Sequence, residues 1–109
     1  MTITFDDYQK AAWSTALPSA QHTTYMLTGA MGELGELAEI FAKSIRDREN
    51  CILADDMARI KKECGDLLWM IAGLCSTLEI SLDEVAAGNL AKLADRAKRG
   101  VIGGSGDER

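Results

Sequence analysis

Proline is almost missing from this sequence: Pro18 is the only one, so after it no residue forbids a long helix. Glycine is sparse until the last ten residues, and apolar residues recur at intervals of three and four rather than two, which excludes a strand-rich pattern and points to helices throughout. Basic charge is in deficit, since 12 Lys and Arg stand against 17 Asp and Glu for a net charge of −5. That balance argues against broad binding to nucleic acid or an anionic membrane, both of which need a basic face. An anionic substrate then needs a cation as intermediary.

No run of about 18 apolar residues is present, and the opening "MTITFDDYQK" lacks the charged and apolar regions of a secretion signal, so a cytoplasmic location and no membrane association are expected. The three cysteines, Cys51, Cys64 and Cys75, are odd in number and lack CxxC spacing, which suggests neither a disulfide framework nor a zinc site. Cys64 and Cys75 fall on the apolar side of one helical segment and read as small core residues.

What is present is one domain's worth of apolar material: 109 residues, 47% hydrophobic. A chain of this size buries only about two-thirds of its surface, so association with further copies is expected. The periodicity predicts an all-α fold of four helices in a bundle-like array, a single domain over 1–109 ending in a glycine-rich tail from residue 100. Thr4 and Asp7 form a capping-box pattern opening a first helix through about Leu17, and Pro18 breaks it. A long second helix is predicted from about Thr23 to Arg48, a third from about Met57 to Leu78, and a fourth after the capping-box pattern Ser81 and Glu84, ending at Gly100. Gly29, Gly32 and Gly35 each cost the second helix about 0.5–1 kcal/mol relative to alanine. They imply close approach by another backbone or a ligand.

The stretch "GELGELAEIF" from Gly32 to Phe41 sets Glu33 and Glu36 on the flank of an apolar arc. In "KKECGDLLW", Glu63 and Asp66 repeat this spacing on the third helix. If the two helices are antiparallel neighbours, four carboxylates converge, and they repel unless a cation or protons separate them. Oxygen ligands without histidine or cysteine favour magnesium, with manganese as substitute, and magnesium binds substrate phosphates. Asn89, Lys92 and Arg96 make a polar strip on the fourth helix, suited to gripping phosphates.

These residues resemble the MazG-type, all-α nucleoside triphosphate pyrophosphohydrolases, whose ExxE and ExxD motifs correspond to "ELGE" (Glu33 to Glu36) and "ECGD" (Glu63 to Asp66), 26 residues apart. The similarity continues through "GDLLW" and "NLAKLADR", and the tail "GGSGDER" resembles that of small stand-alone members. The resemblance implies magnesium-dependent cleavage of a nucleoside triphosphate between the α and β phosphates, giving the monophosphate and pyrophosphate, in a helical bundle whose sites form in a homodimer or homotetramer. The expected substrate is a deoxynucleoside triphosphate or a modified one, in nucleotide-pool clean-up. It further implies that Glu33, Glu36, Glu63 and Asp66 hold the metal and that a glutamate, Glu36 by preference or Glu33, orients or deprotonates the attacking water. Lys92 and Arg96 would neutralise the phosphates, with Asn89 donating a hydrogen bond. Gly32 stands where many such proteins carry a further glutamate, and Glu39 lies one turn past Glu36. Trp13, Trp69, Tyr25 and His22 are candidates for stacking on a base, or else packing residues. The tail is a candidate to close over the site, with Asp107 or Arg109 contributing charge, or else a frayed terminus. The competing reading is a non-catalytic helical interaction module or a metal-binding regulator.

Overall fold

The computed structural model describes residues 2–109, which form four α-helices and, among the described residues, no strand. They are α1 (Phe5–Trp13), α2 (Thr23–Arg48), α3 (Ala54–Thr77) and α4 (Leu82–Arg99), with a 3-10 turn at Pro18–Ala20 between α1 and α2. The capping box opens α1 as expected: Thr4 Oγ1 accepts from the Asp7 amide at 3.0 Å, and the Thr4 amide donates to Asp7 Oδ2 at 3.2 Å. The helix stops at Trp13 rather than near Leu17. Ser14 and Thr15 turn their hydroxyls back onto the carbonyls of Ala11 and Ala12, each at 2.6 Å, a local bonding that competes with the helical ladder.

An antiparallel hairpin of α2 and α3 is the backbone of the molecule. At its closed end Glu49 and Asn50 both adopt positive φ, turning the chain sharply. Asp56, 5% exposed, braces this turn by accepting from Arg48 Nη2 at 2.9 Å and from the Leu53 amide at 3.0 Å. At the open end the hydroxyls of Thr23 and Thr77 meet at 3.1 Å. Between them Gly29 lies against Met70, whose sulfur would sit 2.6 Å from an added Cβ, and Gly73 lies similarly against Met26. The close approach expected of the glycines thus holds at Gly29, but Gly32 and Gly35 have nothing within 4 Å.

Helix α1 lies on the later half of α3, where Tyr8 packs on the small core of Ala72, Cys75 and Leu82. Cys75, at this contact, is buried, while Cys64, eleven residues earlier on α3, is exposed, contrary to the expectation of two core cysteines. Gln9 ties the end of α3 to the start of α4, donating to the Ile80 carbonyl at 2.9 Å and accepting from the Leu82 amide at 2.8 Å. Ser81 Oγ accepts from the Glu84 amide at 3.2 Å, but the reciprocal half of the expected capping box does not form. The Ser81 hydroxyl and the Asp83 amide are instead bound by Asp6, at 2.8 and 3.0 Å.

These contacts dock α4 on α1 and turn it 105° from α3. The all-helical expectation holds, but α4 does not close a bundle against α2 and α3 within one chain, and Leu90 on it remains 68% exposed. The Cα radius of gyration is accordingly 16.8 Å, against about 13 Å for a compact chain of this length. Among the described residues, no single helix is long and apolar enough to cross a membrane.

Candidate active site

Midway along the hairpin, α2 and α3 turn acidic side chains toward one another. Carboxylate oxygens of Glu33, Glu36 and Glu63 all lie within 4.8 Å of one another, with Glu33 and Glu63 half-buried and Glu36 exposed. Glu33 and Glu36 share a flank because they stand one turn apart on α2. Glu63 meets them from α3. One oxygen of Glu33, Oε2, and one of Glu63, Oε2, are shut off from solvent with no hydrogen-bond donor. Buried acceptors almost always have a donor, so this pair calls for a cation or a proton.

The proton affinity of Glu33 reflects the same conflict. Its pKa is raised above 4.5, first by burial, next by the facing Glu63 carboxyl, and then by the charges of Glu36 and Asp66. Oxygen donors alone form the group, and Cys64, next to Glu63 in sequence, is not part of it. Such a donor set fits a hard divalent cation such as magnesium.

Asp66 is the expected ligand that the structure keeps outside the group. It holds the same place relative to Glu63 as Glu36 does to Glu33, but its side chain is one methylene shorter and its carboxylate remains exposed. Its charge still bears on Glu33. Glu39, one turn beyond Glu36, is drawn away into an ion pair with Lys43 at 3.0 Å.

The strip on α4 is not brought to these acids within one chain, because α4 leaves the hairpin. Asn89 is exposed. Lys92 and Arg96 point into the tail, where Asp107 Oδ1 accepts from Lys92 Nζ and Arg96 Nη2, each at 2.8 Å. Sequence reasoning placed Asp107 in the tail as a source of charge; the structure makes it the direct partner of both cations. Trp69 uses its indole N–H on Thr15 Oγ1 at 2.9 Å and packs half-buried. Trp13 and His22 line an open cavity of about 620 Å³ with Gln21, Thr23, Ser76 and Thr77, at the open end of the hairpin. Glu33 lies ten residues past Thr23, about 15 Å along a helix that rises 1.5 Å per residue. Tyr25 is exposed on α2.

Sequence periodicity did not single out Tyr8. Its phenol pKa is raised first by burial and then by the charge of Asp66. Its place on the apolar side of α1 was the only signal, and that signal equally marks a core residue.

Residues 21–101 match the family model of the MazG nucleotide pyrophosphohydrolase domain. The chain is also similar to the Gene 37 protein of Mycobacterium phage L5, 38% identical over 111 residues that cover 95% of this chain and 97% of that protein. No solved structure matches.

Proposed function

The chain belongs to the MazG nucleotide pyrophosphohydrolase family, and from that premise we propose that it is a magnesium-dependent enzyme cleaving a deoxynucleoside triphosphate between its α and β phosphates. The observation that carries this reading is the pair of buried, donorless oxygens on Glu33 and Glu63 within a trio of acids less than 4.8 Å apart. Glu33, Glu36 and Glu63 would hold the metal, with Asp66 on the flank adding charge. Bound there, magnesium neutralises the acids and polarises a phosphoryl oxygen.

Glu36 is the exposed member of the trio and so the one open to water. It orients a water molecule toward the α phosphorus and takes its proton as the new oxygen–phosphorus bond forms and the α–β bridging bond breaks, releasing pyrophosphate and the monophosphate. Glu33, half-buried between Glu36 and Glu63, is less open to water and is assigned to gripping the cation rather than to serving as the base. Lys92 supplies positive charge for the leaving phosphates and Asn89 a hydrogen bond.

We further propose that the working form is a homo-oligomer, in which α4 of one copy reaches the hairpin of another. Support comes from Met31 and Ile45, 70% and 63% exposed, and from the extended shape of the single chain. The cytoplasm is the proposed setting, on the chemistry of the substrate. A panel of deoxynucleoside triphosphates with magnesium, with pyrophosphate and orthophosphate measured separately, tests the reaction. Pyrophosphate release that collapses in Glu36→Gln is expected. Orthophosphate as the sole product, or full activity in the variant, removes this function and leaves a metal-binding regulator, the reading that the separation of α4 from the acids would then favour.

A further inference from the structure

The chain after α4 folds back onto the helix it has just left. Arg109 donates to the carbonyls of Val101 at 3.2 Å, Ile102 at 3.1 Å, Gly103 at 3.1 Å and Gly106, and Arg99 Nη2 donates to the Arg109 carbonyl at 2.8 Å. One guanidinium thereby closes residues 101–109 into a loop. Gly104 and Gly106, at φ of 91° and 87°, allow turns that side-chain-bearing residues resist.

The loop delivers Asp107 to α4. Besides the two 2.8 Å contacts of its Oδ1 with Lys92 and Arg96, its carbonyl accepts from Arg96 Nη2 at 2.6 Å. The Arg96 side chain is 7% exposed and that of Asp107 71%, so the carboxylate sits on the solvent side of the cation it covers. Arg96 Nε is buried with no acceptor at all. The two ion pairs hold Asp107 strongly in its charged form, with its pKa lowered by hydrogen bonds from Lys92 and Arg96.

Two cations converging on one anionic oxygen is the arrangement a phosphate oxygen would receive from the same donors. An external phosphate has to approach from the side on which Asp107 lies. We propose that the tail is an autoinhibitory strap, in which Asp107 occupies the Lys92 and Arg96 donors and is displaced by the polyphosphate of an incoming nucleotide. The inference rests on the reading of the α4 strip as the phosphate grip. The contrary role, Asp107 presenting the cations to substrate, is disfavoured by charge, since an exposed carboxylate left in place would repel a polyphosphate carrying several negative charges. The Lys92 pair is open to solvent and so weak, and the Asp107 carboxylate is 71% exposed in both pairs, so displacement is undemanding.

Binding of inorganic tripolyphosphate, followed by calorimetry with magnesium present, reads the strap without turnover. Asp107→Asn is expected to bind about three- to tenfold tighter than wild type, the range set by loss of two ion pairs made by a solvent-exposed carboxylate. Arg109→Ala, which unclasps the loop but keeps Asp107, should tighten binding in the same direction, and Lys92→Ala added to Asp107→Asn should abolish the gain. In the hydrolysis assay Asp107→Asn should lower KM. Unchanged or weaker tripolyphosphate binding in a folded Asp107→Asn protein overturns the proposal, as does a Lys92→Ala change without effect on binding. If the wild-type protein hydrolyses no nucleotide yet Asp107→Asn still tightens tripolyphosphate, the enzymatic reading fails and the strap stands. Hydrolysis with no tightening gives the reverse.

Discussion

Replacing Glu33 by glutamine removes one charge from the acid cluster while preserving the shape of the side chain. Its carboxylate faces those of Glu36 and Glu63 within 4.8 Å. At that separation each like-charged pair repels by about 1 kcal/mol in bulk water and by about 3–4 kcal/mol at the dielectric typical of a protein surface. Glu36 is exposed, and Glu33 can take up a proton to relieve the strain, so the water-screened figure is the better guide. Relief of two such pairs gives about 1–2 kcal/mol, or a melting temperature raised by roughly 5–10 °C in a domain of this size.

Magnesium should act in the same sense but to different extents on the two proteins. A ligand at a hundred times its Kd adds about 2.7 kcal/mol to the stability of the state that binds it. Wild type is expected to melt markedly higher when magnesium is added, and Glu33→Gln to gain far less because it starts with one charged ligand and two repulsions fewer. Titrating pH adds a second check. A carboxylate whose folded pKa is raised above 4.5 contributes stability that is fully present below that value and lost as pH rises through the folded pKa. The difference between variant and wild type should therefore be absent in acid and grow toward neutrality. Scanning calorimetry across pH, with and without magnesium, reads all of this. A Glu33→Gln protein that melts lower than wild type without metal, or gains as much from magnesium, would refute the reasoning.

Gly35→Ala places a methyl in open space, so the free protein should gain about 0.5–1 kcal/mol of helix stability, seen as a higher melting temperature; a lower one would mean that a second copy already packs there. Asp6 carries a pKa lowered below 3.8, chiefly by the Asp83 amide and then by the Ser81 hydroxyl. Its contribution is therefore present above that ordinary value and lost as pH falls through the folded one. Asp6→Asn should flatten the acid limb of a stability curve, and an unchanged limb would show that Asp6 does not help to secure α4. The proposed oligomer predicts a solution mass by light scattering of two or four chains of 11.8 kDa, reduced by Ile45→Glu; a wild-type mass of one chain would contradict it.

Much of this was legible from spacing alone. The bounds of α2 follow from its uninterrupted three-four periodicity between the 3-10 turn and Glu49, and the acid trio follows from ExxE and ExxD on helices long enough to lie side by side. The place of Asp66 was harder to read, because rotation around the helix is visible in sequence, whereas the reach that leaves it outside the trio is a matter of one methylene. Cys64 was misread for a related reason: periodicity gives the face of α3 on which it lies, but not that α1 packs only on the part of that face near Cys75. The position of α4 was hidden altogether. It depends on Asp6, Gln9, Ser81 and Asp83 meeting across more than seventy residues of chain, and periodicity identifies an apolar face without identifying what it faces.

The same geometry explains how mutually repelling acids persist in the free protein. Glu33, Glu36 and Glu63 lie in the middle of a hairpin fastened at both ends, by Arg48 and the Leu53 amide on Asp56 at one and by Thr23 on Thr77 at the other. With Met26 and Met70 interlocked against Gly73 and Gly29, α2 and α3 cannot separate locally to relieve the repulsion. The penalty is held in place by contacts that no cation alters, and binding a cation therefore releases it in full rather than spending part of it on rearrangement. A site arranged this way gains affinity for a divalent ion from the rigidity of its neighbours, which is why the fastening residues, although they touch no ligand, belong to the account of what the acids do.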